Sequence, residues 1–361
     1  MPINFQKAEN KVTKLQIKAS SKVLSLLPGF LLATAIAVVA EGVHGMIVVG
    51  GEKPVSGVII AIIIGALISN SFKIQAQIAP GVNYIMSKVL KAAIILLGLS
   101  LSFMAVIKTG ALALVVIVIT VTLAIILTYR IGNKLGLPDK LAALIAIGTA
   151  ICGATAIVST APVIEAEDED ITYAVATITI FGIIAIFIYP VLGKLMLFSD
   201  LQFGTWAGVA IHETAQVVAA GFAFSPEAGE IATVVKLTRT VLLAPLVLIV
   251  GAIYARRNQG QCGEINCLKI FPWFVVGFLL MAGLRTMGDN LWLNDAIWQT
   301  VLSFGKAASK QLIVLAMAAV GLKTSLQTMK QIGGIKPFVV GLIASITMAV
   351  LSLLIILVMR I

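Results

Sequence analysis

The sequence predicts an all-α polytopic membrane protein with about eleven transmembrane helices, two of them interrupted, and an inverted repeat. Three observations lead there. Hydrophobic residues make up 60% of the chain and charged residues 12%, with a mean hydropathy of +1.07, a composition that belongs in a bilayer. The apolar blocks run for roughly 16 to 26 residues, long enough for helices across about 30 Å of hydrocarbon and too long for barrel strands of about 10. Two of these blocks are broken near the middle by small and polar residues, as the binding segments of transporters are.

Taken in order, the chain opens with a basic tail, residues 1 to 22, carrying Lys7, Lys11, Lys14, Lys18 and Lys22. The apolar run that follows, 23 to 40, exceeds a signal-peptide core and is expected to be retained as the first span. The remaining spans are expected at 54 to 70, 82 to 104, 109 to 129, 141 to 163, 171 to 193, 203 to 224, 230 to 254, 271 to 287, 298 to 322 and 337 to 359, all in one transporter domain from 23 to 361. With the N-terminus inside, sixteen cations fall on the inner side: the five tail lysines, Lys73, Arg130, Lys134, Lys140, Lys194, Arg256, Arg257, Lys269, Lys323, Lys330 and Lys336. Lys53, Lys108, Arg285 and Arg360 fall outside. That asymmetry sets an N-in, C-out orientation, with the N-terminus cytoplasmic. The acidic run Glu165, Glu167, Asp168, Glu169 and Asp170 is then an outer, solvated loop.

The net charge of +10 follows this topology and does not point to nucleic acid. Cys152 lies mid-span and Cys262 and Cys267 share an inner loop, so no disulfide framework is expected. Neither the CxxxxC spacing nor the two histidines make a metal centre, and no metal or organic cofactor is expected.

The two interrupted blocks are GTAICGATAIVSTAP, Gly148 to Pro162, and GVAIHETAQVVAAG, Gly208 to Gly221. Laying Gly148 on Gly208 brings Ala150 onto Ala210, Ile151 onto Ile211 and Cys152 onto His212. A second self-similarity pairs Gly98-Leu99, Ser102 and Gly110 with Gly321-Leu322, Ser325 and Gly333. It relates segments 82 to 129 and 298 to 359 at an odd number of crossings, hence in opposite orientation.

Six cations remain inside spans, Lys88, Lys91, Lys236, Arg239, Lys306 and Lys310, with Glu213 as the single opposing acid. A charge at the bilayer centre costs at least about 2.5 to 3.5 kcal/mol, so such groups call for a partner, and a passing anion would serve. Lys236 and Arg239 are three residues apart and Lys306 and Lys310 four, so each pair shares a helical face. The expected substrate site therefore comprises Gly153, Thr155, Ser159, Gln216, Lys236, Arg239, Lys306 and Lys310. His212 and Glu213 are the candidates for proton or ion coupling. A structural ion pair of Glu213 with Arg239 or Lys310 is the competing reading. The HET triplet is not a zinc-protease motif, because Gln216 stands where the second histidine would be.

The two blocks, the intervening DEDITYAVATITIFG and the KLTR of Lys236 to Arg239 ahead of Ala244-Pro245 resemble the bacterial family labelled as sulfate exporters, the YeiH-like conserved hypothetical membrane proteins. The resemblance runs from Leu27 to the last span. That family is grouped with the bile acid, arsenite and auxin carriers, and the resemblance implies an inverted-repeat fold whose broken helices, here Gly148 to Ser159 and His212 to Gln216, cross at the substrate site. Eleven spans here against ten in those carriers leave the pairing of the repeats open.

The expected function is secondary transport of a small anion, a sulfate- or sulfite-like oxyanion or a small organic acid, directed outward, with H+ or Na+ as candidate coupling ion. Expected partners are that solute and the lipid bilayer, with a homodimer left open and no nucleic acid. A cation/proton antiporter using Glu213 is the alternative on the same fold. A membrane enzyme or receptor is disfavoured, since no nucleophile sits with a base and no long soluble segment is present.

Overall fold

The computed structural model describes residues 5–46, 56–72, 75–257, 272–292, 295–324 and 335–359, apart from the side chains of 5–23, 75 and 255. Ser325 and Gly333 of the second self-similarity, and Cys262 and Cys267, lie outside them. Every regular element in this part is helical. The elements are α1 (Phe5–Met46), α2 (Gly57–Ser71), α3 (Gln75–Tyr84), a π turn (Ile85–Val89), α4 (Leu90–Leu97) and a 3-10 turn (Gly98–Ser100). They continue as α5 (Phe103–Lys134), α6 (Asp139–Ala150), α7 (Ala154–Thr160), α8 (Asp168–Leu195), α9 (Asp200–Ala210) and α10 (Thr214–Phe224). Last come α11 (Pro226–Val241), α12 (Leu243–Arg257), α13 (Trp273–Trp292), α14 (Ala296–Lys323) and α15 (Ile335–Met359).

Among the described residues, seven of the eleven expected spans are helices long and apolar enough to cross a membrane: Leu24–Met46, Ala76–Ser100, Phe103–Lys134, Asp168–Leu195, Pro226–Tyr254, Ala296–Lys323 and Ile335–Met359. Segments 54 to 70 and 271 to 287 correspond to the shorter apolar α2 and to α13. Residues 5 to 22, read from sequence as a tail, form the first part of α1.

The sequence reads as one transporter domain, whereas the chain's contacts divide it into two compact units. The first comprises Met1–Lys91 with Gln311–Ser325. Glycines let its helices touch: a methyl on Gly29 would overlap the Ile78 carbonyl and one on Gly81 the Leu26 carbonyl, so α1 and α3 meet backbone to backbone. Gly65 and Gly321 do the same for α2 and the end of α14, where the Asn70 amide also donates to the Thr324 carbonyl at 2.9 Å. Close approach of this kind replaces the hydrophobic drive that is missing between helices in lipid.

The second unit, Ala92–Lys310 with Leu326–Ile361, holds both interrupted blocks, and here the structure corrects the expectation. Neither block runs straight through. In the first, α6 and α7 fold back on each other, so that a methyl on Gly148 would overlap the Ile157 side chain. Lys140 Nζ at the start donates to the Glu165 carbonyl at the end, at 2.5 Å; a continuous helix would hold residues 25 apart at about 37 Å. In the second, the rings of Phe203 and Phe224 stack at 4.0 Å and 9°, and the Ser225 hydroxyl donates to the Asp200 carboxylate. Both blocks are hairpins. Consequently the acidic run 165 to 170 lies at the same end as Asp139 and Lys140, not across the bundle from them as expected. It helps line a cavity of about 680 Å³ with Gly136 to Leu141 and Lys336.

The long Pro226–Tyr254 span measures both hairpins. Gly204 of α9 packs on Ile231 and Gly208 on Val235, so α9 runs parallel to α11 from the Pro226 end. At the other end the Tyr254 hydroxyl donates to Asp139 Oδ2 at 2.7 Å, placing the base of the first hairpin there. The hairpins thus enter from opposite ends and their tips come together partway along α11.

Candidate functional site: the paired hairpin tips

Each tip is a short stretch of non-helical backbone flanked by two helix ends. In the first, α6 stops at Ala150, Ile151 takes φ −112° and ψ −85°, and Gly153 turns the chain at φ 72° and ψ −134°. That region is open to glycine and closed to side chains. In the second, Ile211 and Glu213 are extended, with φ −78° and −98°. A helix that stops inside a protein leaves its last carbonyls without partners and carries roughly half a negative charge at that end. Two such ends face each other here.

Lys236 and Arg239 answer them. Both side chains are 0% exposed. Lys236 Nζ donates to the carbonyls of Ile151 and Ile211, each at 3.0 Å, and to that of His212. Arg239 donates through Nε to Ile151 at 2.5 Å, through Nη1 to Val209, and through Nη2 to Thr149 at 3.4 Å and His212 at 3.3 Å. The expectation that these two cations stand ready for an anion gives way to a different arrangement, in which their donors are taken up by main-chain carbonyls of both tips. A rigid five-donor fork can serve several carbonyls at once, which is why an arginine fits here.

Gly153, His212, Glu213 and Gln216 gather around this pair. Glu213 is the N-cap of α10 and is partly exposed; its carboxylate accepts from the Gln216 N–H while the Gln216 amide returns the bond to the Glu213 N–H, 3.1 Å. Glu213 also fills the space beside Gly153, where a methyl would overlap its Cγ. That contact joins the tip of one hairpin to the first turn of the other. Gln216, 3% exposed, donates to the Thr179 carbonyl of α8 at 3.3 Å, and only the absence of a side chain at Gly182 makes room for it. His212 is buried and its Nε2 meets the Ser345 hydroxyl of α15 at 2.8 Å. Thr155 is exposed and Ser159 partly so, one turn apart on the same side of α7. Glu213 and Thr214 are also partly exposed, and Val158, 60% exposed, lies between Thr155 and Ser159 in sequence.

Lys306 and Lys310 are not part of this cluster. They are exposed on α14, while Ser309 between them donates to the Ala93 carbonyl at 2.9 Å and Gly305 packs on Leu99. Lys306 lies within electrostatic reach of Glu230 on α11.

Sequence reasoning missed the carbonyls of Thr149, Ile151, Val209 and Ile211, and the contributions of Ser345, Thr179 and Gly182. A signal for the carbonyls was present: any interrupted helix must satisfy its terminal groups, and two cations three residues apart were the nearest donors of the right kind.

The fold and the tips define a polytopic α-helical membrane protein with a pair of opposed hairpins inside one unit. Comparison with known proteins agrees and is more specific. Residues 28–341 match the family described as Conserved hypothetical protein 698, and the chain belongs to that family. It is 36% identical over 340 residues to a UPF0324 membrane protein of Clostridium tetani, covering 91% of this chain and 95% of that protein. It is 35% identical to one of Fusobacterium nucleatum over 81% of this chain and 86% of the relative, and 31% identical to one of Agrobacterium fabrum over 91% of each.

Proposed function

We propose that this protein is a secondary active transporter for a small anion, a sulfate- or sulfite-like oxyanion or a small organic acid, exported across the bacterial inner membrane. The observation that carries the reading is the meeting of two hairpin tips partway along α11, with Thr155, Ser159, Glu213 and Thr214 at least partly exposed. Irregular backbone at membrane depth is tolerated where it is buried in protein or lines an aqueous path, and transporters bind solute at such interruptions. By formal charge the neighbourhood of the tips holds two cations against one acid, offset in part by the two carbonyl helix ends that Lys236 and Arg239 bind, and this balance supports an anionic over a cationic visitor. On this reading Thr155, Ser159 and Gln216 set the geometry of binding, Lys306 and Lys310 supply outlying positive charge, and His212 and Glu213 couple the cycle to H+ or Na+. The N-terminus is cytoplasmic and the C-terminus extracytoplasmic.

Flux into proteoliposomes of radiolabelled sulfate and, separately, acetate tests this. Saturable uptake of one of them is expected, with Thr155→Ala and Ser159→Ala each raising KM about fivefold, in line with the loss of about 1 kcal/mol per hydrogen bond. Absence of saturable flux for both would overturn the reading.

One observation favours a second reading, cation/proton antiport: Glu213, a carboxylate, occupies the junction of the two tips and is partly open to solvent. Sodium-driven proton movement abolished by Glu213→Gln, with anion flux absent, would select it.

A further inference from the structure

The structure assigns Lys236 and Arg239 as positioning residues, a fixed cationic clamp that binds both hairpin tips to α11 and does not bind the transported solute. Three facts lead there. Each tip presents the carbonyl end of a half-helix, the negative end of its dipole. Both side chains are 0% exposed, so a solute arriving at Thr155, Ser159 and Glu213 would not touch them. Their bonds are shared between the tips: Lys236 holds Ile151 of one with Ile211 and His212 of the other, and Arg239 holds Thr149 and Ile151 with Val209 and His212. Each cation is bonded to both tips at once, so a tip that leaves strips donors from a buried cation whose remaining bonds hold its counterpart. The tips and α11 therefore move as one piece.

Cys152 directly follows the clamped Ile151 and is 5% exposed. With Cys262 and Cys267 changed to serine it is the sole remaining thiol, since the chain has three cysteines. Its reaction with a water-soluble methanethiosulfonate in membrane vesicles then reports whether the first tip is held. Slow labelling is expected in this background, and Arg239→Met and Lys236→Met should each raise the rate about tenfold or more, because labelling then proceeds through local opening. Arg239→Lys keeps the charge, but one ammonium cannot span the carbonyls the guanidinium reaches; its rate should fall between the two. Unchanged labelling in a variant that elutes monodisperse would overturn the clamp. If the methionine variants do not accumulate, Arg239→Lys decides in the same way.

No transported solute is needed for that readout, so its failure and the failure of the transport reading are separable. Where flux is measurable, Arg239→Lys should lower Vmax and leave the ratio of KM values for sulfate and acetate unchanged. A ratio shifted against the divalent ion, with Cys152 still protected, would make Arg239 a solute ligand and sink the proposal.

Discussion

Gly153 and Gly182 are each required by a neighbour that enters the space a side chain would occupy. At Gly153 the conformation, φ 72° and ψ −134°, already excludes other residues, and Glu213 fills the vacant side. Gly153→Ala is therefore expected to destabilise by about 1 to 3 kcal/mol, the usual cost of a strained backbone position. A thermal melt in detergent would show a lower midpoint, and an unchanged one would count against the tip geometry. Gly182→Ala should act differently. The backbone there is helical, but the added methyl evicts the Gln216 amide from its bonds to Glu213 and Thr179. The expected result is a lower melting midpoint in detergent, partly restored by adding Gln216→Ala, which removes the clash.

The hairpins show what hydropathy can and cannot report about an element. Both blocks were legible as broken apolar segments, and the register chosen from Gly148 and Gly208 holds in the structure: Ala150 and Ala210 end α6 and α9, and Ala154 and Thr214 begin α7 and α10. The reversal was not legible, because an apolar run of about 23 residues has the same mean hydropathy whether it crosses once or goes halfway and returns. The Lys140–Glu165 bond depends on residues 25 apart, which no local pattern reveals. Side-specific labelling separates the two topologies. In a cysteine-free chain, cysteine at Glu169 should react from the same face of the membrane as cysteine at Lys140, and cysteine at Lys194 from the opposite face. A straight crossing predicts the reverse for Glu169 and Lys194.

For the whole molecule, the change from crossing to folding back alters the count of spans by two and so preserves its parity. The sixteen inner cations lose only Lys194 to the outer side, and the orientation argument survives. A periplasm-active reporter fused at the C-terminus should therefore be functional; an inactive fusion would refute the orientation while leaving the hairpins intact. The membrane class and family-bearing motifs were plain in the sequence because composition and short runs carry them. The employment of the buried cations was not, because their partners are carbonyl groups that every residue possesses and no letter marks.

The sixty-residue offset that lays Gly148 on Gly208 and Ala154 on Thr214 also bears on direction. On the transport reading, hairpins that enter from opposite ends of the Pro226–Tyr254 span would offer a molecule from either compartment a comparable approach. A gate built from such near-mirror halves has little intrinsic sense of inward or outward, and on the transport reading the net traffic through it is decided by whichever gradient the cell maintains.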